Sequence, residues 1–296
     1  MSKAKVLILG ASGMLGSAMF RSFHAAGTYH VRATTRSTSQ FHFFSEDQRQ
    51  CLLANVDVLD NDALVSLLEG TKPDVVINCI GLIKQLTSAK DPLVALPVNA
   101  LFPHRLARLC RLVGARMIHV STDCVFSGSS GNYSEQSKAD ADDLYGKSKL
   151  LGEVVEYDNA VTLRTSIIGR ELATAHSLVD WFLSQEGEVR GFTKAIFSGL
   201  PTNELADVVS RVVIPNAGLT GLFHVSAEPI SKYDLLRLIA AEYKKDIKIL
   251  PDDRVVIDRS LNSSKFLAAT GYKAANWSKL IEQMRNTDFR GGYKDV

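Results

Sequence analysis

The sequence predicts an α/β fold: a doubly wound parallel sheet covered by helices, followed by a smaller C-terminal lobe. Three observations predict it. Short continuous apolar runs, such as Lys5–Leu9 and Asp74–Cys79, read as parallel strands buried on both faces. They alternate with longer stretches of helical period, such as Asp91 to Gly114. The first strand also runs straight into a glycine-rich turn, Gly10-Ala-Ser12-Gly13-Met14-Leu15-Gly16, that opens a helix reaching Gly27.

Strand, glycine turn and helix in that order make the first unit of a Rossmann-type fold. Gly10 permits the tight turn, Gly13 lets backbone approach a pyrophosphate, and Gly16 lets the helix pack close to the strand. The helix N-terminus presents free N–H groups and a positive dipole end to phosphates. Gly10, Ser12, Gly13, Met14, Leu15 and Gly16 are therefore candidate dinucleotide contacts, although the spacing is Gly-x-x-Gly-x-x-Gly rather than Gly-x-Gly-x-x-Gly.

The second strand is expected near Tyr29 to Thr34. An NAD site carries an acidic residue about 20 residues past the glycine turn, at the ribose 2′-hydroxyl. Here the first acid after Gly16 is Glu46, and the strand ends Thr34-Thr35-Arg36-Ser37. A guanidinium at Arg36 suits a 2′-phosphate, so NADP(H) is expected over NAD(H); the plain alternative is an arginine in a solvated loop. Ser37 to Gln50 reads as a polar loop with an aromatic patch (Phe41, Phe43, Phe44), and Cys51 to Asn55 as a third strand. Beyond it, Asp57 and Val58 lie where an adenine would sit; equally, Asp57 can cap the helix begun by Asp60-Asn61. The fourth strand, Asp74–Cys79, brings Cys79, Ile80 and Gly81 to the C-terminal edge, across which cofactors lie in such sheets.

The helical stretch from Asp91 to Gly114 contains Asn99 and, four residues later, Pro103. Pro103 has no N–H, so the Asn99 carbonyl loses its usual helical partner. It can hold a water that reaches Lys149, or it can mark a simple proline kink. A fifth strand, Ala115 to Val120, delivers Ser121, Thr122 and Asp123 to the same edge. After a polar loop from Ser127 to Asp140, a helix carries Tyr145 and Lys149 and runs to Tyr157. Val161 to Arg164 is a sixth strand.

Tyr145 and Lys149 share one helix face, a turn apart. A free tyrosine titrates at about 10, and a nearby ammonium favours the phenolate, drawing that value toward neutrality. With Thr122 to hold a carbonyl or alcohol oxygen, this is apparatus for moving a proton at oxygen while a hydride is transferred. The bland alternative is a solvated lysine beside a half-buried tyrosine.

Later segments are looser. Ser177 to Ser184 reads as a helix, Gly191 to Thr202 as a loop, Asn203 to Pro215 as a helix and Gly221 to Ser226 as a strand returning to the sheet. Ser231 to Tyr243 is a capped helix, Ile247 to Leu250 a short apolar segment, and Trp277 to Met284 a last helix. The expected division is residues 1–168, with the return strand and helix near 203–226, as the NADP-binding region, and 169–296 mainly as the substrate-binding lobe.

Composition excludes other classes. With 46% apolar and 22% charged residues over 296, the chain is an ordinary globular protein. A net charge of +2 without a Lys/Arg run gives no footing for nucleic acid or a membrane surface. Cys51, Cys79, Cys110 and Cys124 are scattered, with no Cys-x-x-Cys pair, and the seven His show no ligand spacing. These are expected to be free thiols in a reducing compartment, with no metal. The apolar run from Lys5 stops at Gly10, too short for a signal peptide or a span, so the protein reads as cytoplasmic.

Gly10-Ala-Ser-Gly13-Met-Leu-Gly16, Asn99-Ala-Leu-Phe-Pro103, Ser121-Thr-Asp-Cys-Val-Phe126, Tyr145-Gly-Lys-Ser-Lys149-Leu-x-Gly-Glu153 and Arg164-Thr-Ser166 closely resemble the extended short-chain dehydrogenase/reductases. Most specifically they resemble the dTDP-4-dehydrorhamnose reductase branch. The resemblance implies a catalytic set of Thr122, Tyr145 and Lys149, with Asn99 in the proton relay. Tyr145 would donate the proton, Lys149 would activate the phenol and hold the ribose, and Thr122 would hold the C4 oxygen. It places a nucleotide-diphosphate sugar against Lys84, Thr122, Asp123, Cys124, Tyr145 and Ser166. Two departures stand out: the family has Tyr where Cys124 stands, and an acidic residue near Ser127. Gly191 to Asn203 reads as this chain's own substrate loop.

The expectation is an NADPH-dependent reductase of a 4-keto-6-deoxy nucleotide sugar, serving surface polysaccharide synthesis. A nucleotide-sugar epimerase or dehydratase with tightly held NAD is one alternative. A non-catalytic dinucleotide-binding regulatory subunit is another. The sequence leaves the oligomeric state open, a homodimer included.

Overall fold

The computed structural model describes residues 3–84 and 87–288; the outer ends of the two expected regions, 1–2 and 289–296, lie outside them. β1 (Lys5–Leu9) leads into α1 (Met14–Ala26), which Gly27 ends in the left-handed conformation. β2 (His30–Thr34) follows. The stretch from Ser37 to Gln50 is not the expected polar loop. It forms a 3₁₀ turn over Thr38–Phe43 and the short α2 (Glu46–Arg49), held by a Ser45/Gln48 capping box. Burial of Phe44 drives this: its ring meets Phe20 of α1 at 5.6 Å, and Arg21 lies over it at 5.1 Å. β3 shrinks to Leu52–Leu53 at the edge.

α3 (Asn61–Thr71) is capped by Asp60, and β4 (Val75–Asn78) follows. The long helical stretch begins as α4 (Pro92–Ala95), widens into a π turn over Leu96–Leu101 and continues as α5 (Phe102–Leu112). The wide turn absorbs Pro103, which sits at the start of α5. β5 (Arg116–Thr122) leads to α6 (Leu144–Leu151), then β6 (Ala160–Thr165). α6 stops at Gly152, five residues short of the expected Tyr157. Gly152 is packed on the π turn, where a Cβ would lie 1.9 Å from the Asn99 carbonyl oxygen.

In the later chain, β7 (Ile167–Ile168) pairs with β10 (Leu200–Pro201), and α7 (Leu178–Ser184) lies between them. The expected loop from Gly191 to Thr202 is instead strand-rich: β8 (Glu188–Phe192), β9 (Ala195–Phe197) and β10. α8 (Thr202–Val208) runs on into a π turn, and β11 (Gly221–His224) returns to the main sheet beside β6. β12 (Ile230–Ser231) and β14 (Ile257–Asp258) flank β9; α9 (Lys232–Glu242) and β13 (Lys248–Asp252) lie between them in the chain. α10 (Ser264–Thr270), which the sequence reading missed, and α11 (Trp277–Asn286) close the chain.

The main sheet has seven strands, all parallel, in the order β11-β6-β5-β4-β1-β2-β3. This is the doubly wound Rossmann-type arrangement, with its switch point between β1 and β4. One apolar cluster lies on the α1 face, where Phe20, Phe23 and Met19 pack. A second, on the other face, is built from Leu7, Leu9, Leu64, Phe102 and Met117. No helix among the described residues is long and apolar enough to cross a membrane.

Candidate functional site

The glycine turn is folded tightly at the switch point. Gly10 has φ +90°, and a Cβ at Gly16 would lie 2.0 Å from the Gly10 carbonyl oxygen, so α1 can start this close to β1 only with glycine there. Thr34 at the end of β2 ties the turn down: its Oγ1 accepts from Gly10 N at 3.2 Å and its carbonyl from Ala11 N at 2.9 Å. Gly13 is the exposed N-cap of α1. It supplies no side-chain cap, and the first turn of α1 has no acidic residue. The Gly13 amide donates within the turn, to Gly10 O at 3.1 Å; the first-turn amides of the helix beyond it, a positive helix end and no competing carboxylate fit a pyrophosphate. Ser12 and Met14 are half-buried beside it, whereas Leu15 is buried in the core and can reach a ligand only through its backbone.

Arg36 stands two residues past β2, exposed, and forms no ion pair among the described residues. Of the two readings of Asp57, the helix cap belongs to Asp60, which accepts from Asp62 N and Ala63 N; Asp57 accepts from Leu59 N at 2.9 Å and is exposed. Val58 is buried. At the end of β4, Cys79 and Ile80 are half-buried and Gly81 is exposed. Two buried asparagines pin this edge: Ile80 N donates to Asn78 Oδ1 at 3.0 Å, and Leu82 N to Asn99 Oδ1 at 2.9 Å.

Thr122 ends β5. Its hydroxyl donates to Asp123 Oδ1 and accepts from Cys124 N, each at 3.1 Å. α6 is seated against this turn, because a Cβ at Gly146 would lie 2.3 Å from the Cys124 carbonyl oxygen. Asp143 caps α6 at Gly146 N, 2.8 Å away. That close seating brings the Tyr145 phenol near the Thr122 hydroxyl, which acts to lower its pKa. One turn later, buried Lys149 donates from Nζ to the Val120 carbonyl at 3.0 Å. A Cβ at Gly81 would lie 3.4 Å from Asn99 Oδ1 and 3.7 Å from Lys149 Nζ, so the lysine faces the β4 edge. Asn99 meets that edge through its amide, and its Nδ2 donates to Ser148 Oγ at 3.1 Å. Its carbonyl does not point that way but lies against Gly152.

The electrostatics differ from expectation in one respect. Burial pushes the Tyr145 phenol up, opposed by the neighbouring Thr122 hydroxyl; it is not drawn toward neutrality as the sequence suggested. A phenol that keeps its proton at neutral pH is a donor. Lys149 is lowered to about 8 by burial, opposed by the Glu153 carboxylate. Burial raises Cys79 and Cys124 to about 12, so both stay thiols. Burial also raises Asp123, against the opposing Arg259 guanidinium and a hydrogen bond from Ser166.

Lys84 lies at the crevice mouth with Nζ 2.5 Å from Asp143 Oδ2. Beside Ser127, Asp140 accepts from Ser127 N and Oγ, both at 2.7 Å. Among the described residues, no group of His, Cys, Asp or Glu could hold a metal ion. Sequence reasoning missed Asp143 and Arg259. Asp143 three residues before Gly146 carries a helix-cap signal; Arg259, one residue past a two-residue strand, carries none.

Residues 4–287 match the family described as RmlD substrate binding domain. The methionine adenosyltransferase 2 subunit beta of Xenopus laevis is 28% identical over 251 residues, covering 78% of this chain and 70% of that protein. A probable low-salt glycan biosynthesis reductase of Haloferax volcanii is 30% identical over 236 residues, covering 75% and 74%. In structure, the dTDP-4-dehydrorhamnose reductase of Bacillus anthracis, solved with NADP, superposes with a TM-score of 0.79 at 21% identity, covering 97% of this chain and all of that one, which speaks to the fold. With a family match spanning nearly the whole chain over this sheet order and this Thr122–Tyr145–Lys149 cluster, the protein belongs to the RmlD substrate binding domain family, a branch of the extended short-chain dehydrogenase/reductases.

Proposed function

We propose that this protein is an NADPH-dependent reductase of a 4-keto-6-deoxy nucleotide sugar, working in the synthesis of surface polysaccharide sugars. The observation that carries this reading is the meeting of Tyr145, Thr122 and Lys149 beside the β4 edge, next to the glycine turn. The halophile reductase relative and the NADP-bound structural neighbour agree with it.

The residues present fit a dinucleotide. The amides of Met14 and Leu15 would hold its pyrophosphate, with Gly13 allowing the close approach, Arg36 a 2′-phosphate, Asp57 and Val58 the adenine side, and Cys79 to Gly81 the path to the nicotinamide. When bound, the nicotinamide supplies the hydride. Lys149, beside Gly81, would hold the ribose. Thr122 holds the ketone oxygen next to the Tyr145 hydroxyl, and that hydroxyl donates its proton as the oxygen gains charge. Cofactor and sugar in one crevice supply proximity, which can itself contribute several kcal/mol, roughly 7–11 in well-oriented systems. On this reading, residues 169–296 mainly form the lobe over the sugar.

A second reading, a non-catalytic dinucleotide-binding subunit, is favoured by the methionine adenosyltransferase relatives. One experiment separates them: incubation with NADPH and a panel of dTDP-, UDP- and GDP-linked 4-keto sugars, following absorbance loss at the nicotinamide band. Oxidation with one member is expected. Tight NADPH binding with no oxidation across the panel supports the subunit reading instead.

A further inference from the structure

The foot of the main sheet lies at the opposite end of the strands from Thr122 and Tyr145. It holds a groove of about 800 Å³, where the starts of β1 and β2 meet the last turns of α1 and α3. A departure in β2 builds it. β2 runs between β1 and β3, and an interior strand of a parallel sheet is ordinarily apolar on both faces. Here the residues alternate. Val31 and Ala33 are buried in the cluster on the α1 face, whereas His30 and Arg32 are exposed on the other face. The β1–β2 register sets His30 beside Lys5 and Arg32 beside Leu7. Lys5 and Leu7, two residues apart, share that face.

The groove thus has an apolar floor and a basic rim. Leu7 belongs to the cluster under α3, and Leu53 and Leu67 are half-buried at its margin. Lys3, Lys5, His30 and Arg32 line the rim, and no lining residue is acidic. Among the described residues these four form no ion pair. Asp74, next to Lys5 on the β4 side, is turned onto backbone: it accepts from Lys5 N at 2.7 Å. Like charges set side by side on a sheet repel each other. The fold gathers cations that the sequence scatters, and supplies no counter-charge in the groove. Two ammonium groups, a guanidinium and an imidazole match the multiple charge of a phosphate better than the single charge of a carboxylate. The volume falls within the roughly 300–1,000 Å³ of small-molecule clefts, which favours a small ligand over a protein segment.

We propose that this groove binds an organic phosphate, with the phosphate held by Lys5, His30 and Arg32 and the apolar body laid on Leu53 and Leu67. The site goes beyond the reductase reading and does not rest on it. Cofactor and sugar belong to the C-terminal edge of the strands, and this groove opens at the other end.

The test uses the whole protein saturated with NADP⁺, so that the cofactor site is filled, at low ionic strength. ADP, pyrophosphate and adenosine are titrated in turn, following the His30 imidazole signal by NMR; the signal is assigned by its loss in His30→Gln. ADP is expected to shift it saturably in wild type. Arg32→Gln and Lys5→Gln should each weaken ADP binding at least about 10-fold, the loss expected for one charge-assisted contact. Pyrophosphate, lacking the apolar body, and adenosine, lacking the anion, should each bind more weakly than ADP. NADP⁺ affinity should be unchanged in both variants, which reports an intact fold. No shift of His30 with ADP or pyrophosphate overturns the site, and so does wild-type ADP binding in either variant. Equal binding of pyrophosphate and ADP overturns the part assigned to the apolar floor.

Discussion

Arg164 grips Glu153 as a fork: Nε to Oε1 and Nη2 to Oε2, each 2.6 Å, with the side chains only 5% and 4% exposed. Ser121 Oγ donates to the same Glu153 oxygen at 2.7 Å, and the guanidinium lies 5.2 Å from the Phe126 ring. The pair thus fastens β5, β6, the end of α6 and the loop after Thr122 to one another. Its worth lies in being complete: removing one partner strands a buried charge, which typically costs ~3–5 kcal/mol. Glu153→Gln is expected to lower unfolding stability by about that amount in urea titration. Glu153→Leu combined with Arg164→Met should recover much of the loss, since no unpaired charge then remains.

Lys149 makes a pH signature. It is held at about 8, below the 10.5 of a free lysine, mainly by burial. Between those values the unfolded chain binds a proton that the folded one lacks, so wild-type stability should rise with pH through this window. Below pH 8 the cost of burying the charge is present in full. Lys149→Met removes the linkage. The stability difference, Lys149→Met minus wild type, should fall steadily between pH 8 and 10.5 in denaturant titrations of the cofactor-free protein. A difference independent of pH contradicts the buried placement of the ammonium.

On the proposed reading, Arg36 sets the preference for NADPH over NADH. It is exposed beside the glycine turn, with no acidic residue in the place an NAD site uses. Arg36→Ala should raise KM for NADPH by about 10-fold or more, the loss of a charge-assisted contact, and leave KM for NADH nearly unchanged. A clear preference for NADH in wild type, retained in the variant, contradicts the assignment.

Much of this was legible in the residues. Continuous apolar runs gave the strands from Lys5–Leu9 to Val161–Arg164, because strands covered on both faces need no alternation. The spacing of Tyr145 and Lys149 put them on one helix face, and the run after Ala115 brought Thr122 to the sheet edge. What escaped depends on contacts distant in sequence. Gly191 reads as a loop residue, yet it sits in β8, where a Cβ would lie 2.8 Å from the Tyr233 ring. The need for glycine at 152, where α6 ends, comes from the Asn99 carbonyl some fifty residues upstream. Phe44 turned an apparent polar loop into helical turns by burying itself on Phe20. The upward shift of Tyr145 likewise comes from burial, where the sequence invited a reading from Lys149 alone.

The account stands most directly on the Tyr145 hydroxyl as the proton donor. The measurement is single-turnover reduction of the active 4-keto nucleotide sugar by wild type and Tyr145→Phe, with NADPH affinity determined alongside. Removing a positioned general acid typically costs about 10²–10⁴ in rate. The account predicts a fall of that size with NADPH affinity essentially retained; turnover in Tyr145→Phe close to that of wild type contradicts it.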